Sequence, residues 1–86
     1  MYAIEYTTSA WKALSKLPTR TREEIVGIVN GLARNPLPHG VKALQGPLRG
    51  KFKLRAGDFR ILYEVHHGRM LVLVIKIGDR KEVYRG

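Results

Sequence analysis

The sequence predicts an α+β fold: two N-terminal helices packed on one face of a small, mainly antiparallel, twisted sheet. Three observations predict it. Residues 10–32 carry apolar side chains at helical spacing, in two stretches divided by Leu17-Pro18. Residues 36–48 hold three prolines and two glycines, an irregular connection over the surface. Residues 50–77 then read as short apolar-rich runs divided by Gly57-Asp58 and His67-Gly68. At 86 residues the chain is sized for one domain, 1–86, whose core is workable without staples.

The order of elements is β-α-α-β-β-β. Residues 2–6 alternate, with Tyr2, Ile4 and Tyr6 on one face, so they form a short strand. Thr7, Thr8 and Ser9 offer N-caps for the first helix. Its stripe is Ala10, Ala13, Leu14 and Leu17, and Pro18 stops it. Trp11, beside that stripe, is expected to pack. Thr21 and Glu24 have capping-box spacing, with Thr19 an equal candidate for the cap of the second helix. That helix carries Ile25, Ile28, Val29 and Leu32, and Asn35-Pro36 ends it. Gly27 and Gly31 share one of its faces, and each costs roughly 1 kcal/mol relative to Ala. They are expected to admit close approach of the first helix. Leu44 and Leu48 are expected to tack the irregular connection to the core.

Three strands, 50–56, 59–66 and 70–77, form an antiparallel meander. The last is apolar except for Lys76 and so is expected to lie inside the sheet. Tyr2, Tyr6 and Tyr63 are expected in the core, and His66 and His67 at the second turn. A short strand or extended tail at 81–85 closes the chain. Two adjacent helices must bury their stripes against one sheet face. The other face keeps Lys51, Lys53 and Arg55, which alternate with Phe52 and Leu54. Leu62 shares parity with Arg60, so that face is not purely polar, and the C-terminal segment is expected to cover part of it.

Composition excludes several functions. There is no cysteine, hence no disulfide and no thiolate metal site. The three histidines include the adjacent pair His66-His67, which does not match zinc-ligand spacing. No apolar run reaches membrane-spanning length, no signal-peptide pattern opens the chain, and no basic amphipathic helix with an aromatic face suits a membrane surface. A reduced, cytoplasmic setting is expected. The net charge is +9, unevenly spread: residues 44–86 hold ten Lys/Arg against four Asp/Glu, residues 1–43 six against three. Such a balance favours a polyanion or an acidic protein as partner.

No Ser-His-acid set, paired carboxylates or Gly-rich phosphate loop is present. What remains is a cluster of Lys and Arg, with Tyr84 near the C-terminus. That cluster suits one reaction. RNA carries its own nucleophile, the ribose 2′-OH, beside the phosphate it attacks. An enzyme then needs a base, charge for the crowded phosphate and an acid for the leaving oxygen. Arginine matches phosphate oxygens, and preorganised charge is often the largest catalytic term. Lysine becomes a base when neighbouring cations lower its pKa. Lys51, Lys53, Arg55, Arg60 and Arg80 supply that crowding.

The run Gly50-Lys51-Phe52-Lys53-Leu54-Arg55-Ala56-Gly57-Asp58-Phe59-Arg60-Ile61-Leu62-Tyr63 resembles the central signature of RelE-family toxins. The run Ile77-Gly78-Asp79-Arg80-Lys81-Glu82-Val83-Tyr84-Arg85 resembles that family's closing motif. The opening strand and Ala10 to Leu17-Pro18 fit as well, so the resemblance spans essentially the whole chain. It implies a microbial-RNase-like fold and the toxin of a type II toxin–antitoxin pair. It also implies an endoribonuclease, free of metal and cofactor, that cuts mRNA in the ribosomal A site and leaves a 2′,3′-cyclic phosphate and a 5′-hydroxyl.

By position, the resemblance marks Lys51, Lys53, Arg60, Arg80 and Tyr84 as catalytic. Proton transfer falls to Lys53, with Lys51 as a second candidate. Arg60 and Arg80 would stabilise the phosphate, and Tyr84 would stack on a base or assist proton transfer. Arg49, Arg55, Lys81 and Arg85 are the expected RNA contacts. The implied partners are an acidic antitoxin, the ribosome and mRNA, with operator DNA reached only through the antitoxin complex. Asp79 departs from the pattern, since many relatives carry His or another basic residue there. A catalytically weakened toxin is therefore one alternative. A non-enzymatic inhibitor of DNA gyrase, as in the ParE branch of the superfamily, is another.

Overall fold

The computed structural model describes residues 1–79. The expected strand at 81–85 and its cover over the sheet lie outside the described residues. Strand β1 (Ala3–Tyr6) leads into helix α1 (Thr8–Ser15) and helix α2 (Thr19–Gly31). Strands β2 (Lys42–Ala43), β3 (Lys51–Ala56), β4 (Phe59–His66) and β5 (Leu71–Asp79) follow. The sheet order is β1-β5-β4-β3-β2. All pairings are antiparallel except β1 with β5, which is parallel. The α+β architecture and the meander are as the sequence predicts. The fifth strand, β2, was expected to be irregular: it is two residues long and closes the sheet edge beside β3.

Thr7 caps α1, and its side chain has a second duty. Its Oγ1 accepts from Ala10 N at 3.1 Å and donates to the Ile75 carbonyl at 2.6 Å. Ile75 is the extra residue of a β-bulge, because Leu62 pairs with Lys76 while Tyr63 pairs with Val74. The bulge changes which residues of β5 face the core. Val72 and Val74 point inward before it, Ile77 after it. Strict alternation would have turned Lys76 inward. The bulge turns it outward, and the helix cap satisfies the carbonyl it frees.

Helix α2 departs from expectation at its start. Neither Thr19 nor Thr21 caps it. Pro18 occupies the N-cap position in an extended conformation, with no side-chain cap bond. Proline's fixed φ suits the tight entry from α1, and Arg22 N donates to the Pro18 carbonyl at 2.9 Å. Ile25, Val29 and Leu32 are buried as predicted, but Ile28 is 39 % exposed at the stripe's margin. Gly27 and Gly31 do not serve close packing: a Cβ on either would meet nothing within 4 Å. Between α1 and α2 lies an open groove of about 620 Å³, lined by Trp11, Leu14, Val26 and Gly27 among others. Trp11 accordingly is not a core residue. It is 56 % exposed and meets Tyr6 edge-on, at 5.5 Å between ring centroids.

The core gathers Ala10 and Leu14 of α1, Ile25 and Val29 of α2, and Ile61, Tyr63, Val72, Val74 and Ile77 of the sheet. Tyr63 is fully buried and donates its hydroxyl to the Pro36 carbonyl at 2.7 Å. This bond ties the irregular connection to the sheet. Tyr2 and Tyr6 pack at the core margin, and Leu44 and Leu48 are half-buried. No buried side-chain nitrogen or oxygen among the described residues lacks a partner. No helix among them is long and apolar enough to cross a membrane.

Candidate functional site

The β3–β4 hairpin builds the site. Gly57, at φ +62°, opens a two-residue turn between Ala56 and Phe59. Positive φ at the first turn position is the II′ arrangement, which glycine adopts without strain. The turn fixes the register, and the register fixes which side chains share a row. Phe52, Leu54, Ile61 and Tyr63 face the helices. Their alternates face away.

Among the described residues four cross-strand rows lie on that outer face, one of them the row of His66, Leu71 and Ala3. Arg55 pairs with Arg60, which pairs with Gly78. Lys42 pairs with Lys53, then Leu62, then Lys76. Lys51 pairs with Glu64, then Leu73, then Glu5. Two of these rows place like charges directly opposite one another, Arg55 with Arg60 and Lys42 with Lys53, which destabilises a sheet. The expected row Lys51-Lys53-Arg55 is thus the middle column of a wider cationic field. Leu62 sits within that field at 3 % exposure.

The electrostatics single out Lys53. Its ammonium is pushed down from its ordinary pKa, first by partial burial and then by the charges of Lys42 and Arg60. Arg60 is half-buried, with Nη1 donating to the Phe59 carbonyl at 3.3 Å, and Gly78 opposite presents no side chain beside it. Arg55 is exposed, its Nε donating to the Gly57 carbonyl at 3.4 Å. Lys51 Nζ lies 3.2 Å from Glu64 Oε2, and Glu64 Oε1 accepts from His66 Nε2 at 2.9 Å. Burial alone would raise the Glu64 pKa. Hydrogen bonds from His66 and Lys51, with their charges, outweigh it and hold the carboxyl below its ordinary value.

Lys51, Lys53, Arg55 and Arg60 therefore come together as the sequence predicts. Arg49 lies just ahead of β3, at the end of a 3₁₀ turn, and is exposed. Arg80, Lys81, Tyr84 and Arg85 lie outside the described residues. His66 was expected at a turn but is the last residue of β4, on the outer face, because the strand continues to its pair with Leu71. His67 does sit in the turn, hydrogen-bonded through Nδ1 to the Tyr2 hydroxyl at 2.7 Å.

Five polar residues of this face received no site assignment from the sequence: Glu5, Lys42, Glu64, His66 and Lys76. Lys42 gave no signal, since a two-residue strand has no periodicity. Glu64 did give one: counting back from a two-residue turn pairs it with Lys51.

Comparison with known proteins agrees with the fold and with the motifs. A family model described as the ParE toxin of the type II toxin–antitoxin system parDE matches residues 4–84. Toxin RelG of Mycobacterium tuberculosis is 35 % identical over 85 residues, covering 98 % of this chain and 97 % of its own. The mRNA interferase toxin RelE of Escherichia coli is 29 % identical over 85 residues, covering 96 % and 90 %. Among solved structures, the M. tuberculosis toxin–antitoxin complex RelBE2 superposes with a TM-score of 0.83 at 32 % identity, over 92 % of this chain and 98 % of the matched chain. With the outer-face cations and the two motifs in place, the chain belongs to the RelE/ParE family of toxins of type II toxin–antitoxin systems.

Proposed function

We propose that this toxin is an endoribonuclease that cuts mRNA on the ribosome without a metal cofactor. One observation carries the reading: Lys53 stands on the outer sheet face opposite Lys42 and one row from the Arg55–Arg60 pair, where partial burial and then the charges of Lys42 and Arg60 hold its pKa below the ordinary value. In this reading neutral Lys53 takes the proton of the 2′-OH. The 2′-oxygen attacks the adjacent phosphorus, the bond to the 5′-oxygen breaks, and that oxygen is protonated as it leaves. The products are a 2′,3′-cyclic phosphate and a 5′-hydroxyl. Arg60 and Arg80 neutralise the charge that builds on the phosphate. Tyr84 stacks on a base or assists the second proton transfer. Arg49, Arg55, Lys81 and Arg85 hold the RNA backbone. The similarity to a relative named as an mRNA interferase supports the substrate class.

The reading also assigns partners. The similar M. tuberculosis structure is a toxin–antitoxin complex. A net charge of +9 suits an acidic antitoxin. Contact with operator DNA would come through that complex, and the toxin would act in the cytoplasm, where ribosomes and mRNA are.

The test is mapping of mRNA ends on translating ribosomes after induction. Cuts within the A-site codon are expected, and the double variant Arg60→Ala/Arg80→Ala should abolish them together with growth arrest. A double variant that stays fully toxic would sink the site assignment. A second reading, inhibition of DNA gyrase, is favoured by the ParE description of the matching family model. Supercoiling by gyrase should be unaffected by the purified toxin, and inhibition would favour that second reading. A third, a toxin weakened by Asp79 beside Arg80, predicts that Asp79→His raises the cleavage rate.

A further inference from the structure

Glu64 is out of place on a surface made for RNA. It removes one positive charge from the outer face and repels phosphate. A face evolved for affinity alone has no use for it. Its surroundings point to a different task. Lys51 and Glu64 are directly paired across β3 and β4, and Glu64 and His66 project from the same face two residues apart. Glu64 uses both oxygens: Oε2 receives Lys51 Nζ at 3.2 Å and Oε1 receives His66 Nε2 at 2.9 Å.

This is not an ordinary surface ion pair. The Lys51 and Glu64 side chains are only 26 % and 25 % exposed. The helical pair Arg20–Glu24, at 94 % and 66 %, shows what an ordinary one looks like here. Exposed pairs contribute almost nothing because solvent screens them and long side chains resist ordering. A shielded carboxylate, itself held at its second oxygen, removes much of the lysine's rotamer freedom.

We propose that Glu64 and His66 are positioning residues for Lys51: His66 fixes the carboxylate, and the carboxylate fixes the ammonium in the row next to Lys53. The inference rests on the ribonuclease reading above and deepens it. It makes Lys51 a fixed charge beside the reacting phosphate rather than a mobile one. Lys53, one row over, keeps the role of base.

The experiment is mRNA cleavage on programmed ribosomes with purified variants, reading kcat and KM separately. Glu64→Gln should lower kcat about tenfold without raising KM, less than the ~100-fold that a misplacement of about 1 Å can cost. His66→Ala should lower kcat in the same direction and serves if Glu64→Gln folds poorly. Lys51→Ala/Glu64→Gln should be no slower than Lys51→Ala, because the second substitution acts only through the first residue. If Glu64 were merely an opposing charge, Glu64→Gln would keep the wild-type kcat and lower KM, and the proposal would fail. It would fail equally if the two losses multiplied.

A readout independent of activity separates this proposal from the ribonuclease reading. The Lys51 ammonium protons should exchange slowly enough for NMR detection in the wild type and be lost in both Glu64→Gln and His66→Ala. Protected protons in a wild type that cuts no RNA would leave the clasp standing and overturn the reading beneath it. Unprotected protons in an active wild type would overturn the clasp alone.

Discussion

Lys42 and Lys53 face each other across β2 and β3, and the repulsion between them has a measurable consequence. If Lys53 is the base, activity rises as pH passes upward through its pKa, which its burial and the cations Lys42 and Arg60 push down. Removing one cation raises that pKa. Lys42→Gln should therefore move the rising limb of the pH–rate profile to higher pH, while Lys42→Arg should leave it in place. A limb unmoved in Lys42→Gln would count against Lys53 as the base. Tyr63 makes a second case. Burial pushes its pKa up from 10.0 to about 12. The folded state holds the phenolic proton more tightly than the unfolded chain, so this contribution is complete below pH 10 and is lost as pH rises toward 12. Tyr63→Phe leaves the Pro36 carbonyl without this donor and should cost about 1 kcal/mol in urea unfolding at neutral pH. It should also flatten the alkaline loss of stability.

At the scale of elements, the α1 cap and the β5 bulge act as one unit. Thr7 satisfies an orphan N–H of the helix and the carbonyl of Ile75. Thr7→Ala should cost about 2 kcal/mol, near the upper end for a cap, because two hydrogen bonds go at once. Chemical denaturation checks it, and Thr7→Ser should recover most of the loss. The cap was legible in the sequence as Thr7-Thr8-Ser9, and so were the stripes of Ala10 and Leu14 and of Ile25 and Val29. The bulge was not. Nothing in Leu71 to Asp79 marks Ile75 as an extra residue, because a bulge is defined by the partner strand it fails to match. The Gly27 and Gly31 reading failed for a related reason. Shared parity on a helix says which residues share a face, not whether another element comes to meet it.

Over the described residues, the cations Lys42, Lys51, Lys53, Arg55, Arg60 and Lys76 gather on the sheet face opposite the helices, so the proposed RNA contact should be strongly salt-dependent. For single-stranded RNA, log K should fall with log salt by roughly 0.7 per phosphate neutralised. Arg60→Ala should reduce that slope by about one contact, roughly 0.7, in a titration across a salt series. A slope unchanged by Arg60→Ala would place Arg60 away from the backbone. The sequence by itself determined the class of fold, the meander, the hairpin turn at Gly57-Asp58 and the clustering of Lys51, Lys53, Arg55 and Arg60. These follow from period, turn chemistry and chain proximity, which are local. Tertiary structure alone decided that β1 runs parallel to β5, that Lys42 arrives opposite Lys53, and that a bulge turns Lys76 outward. It also carried β4 on to His66, whose ring holds the second oxygen of Glu64. Each of these is a matter of register between distant or neighbouring strands. Where no tight turn joins two strands, register is set by the global fit of side chains into one core, so no single segment specifies it.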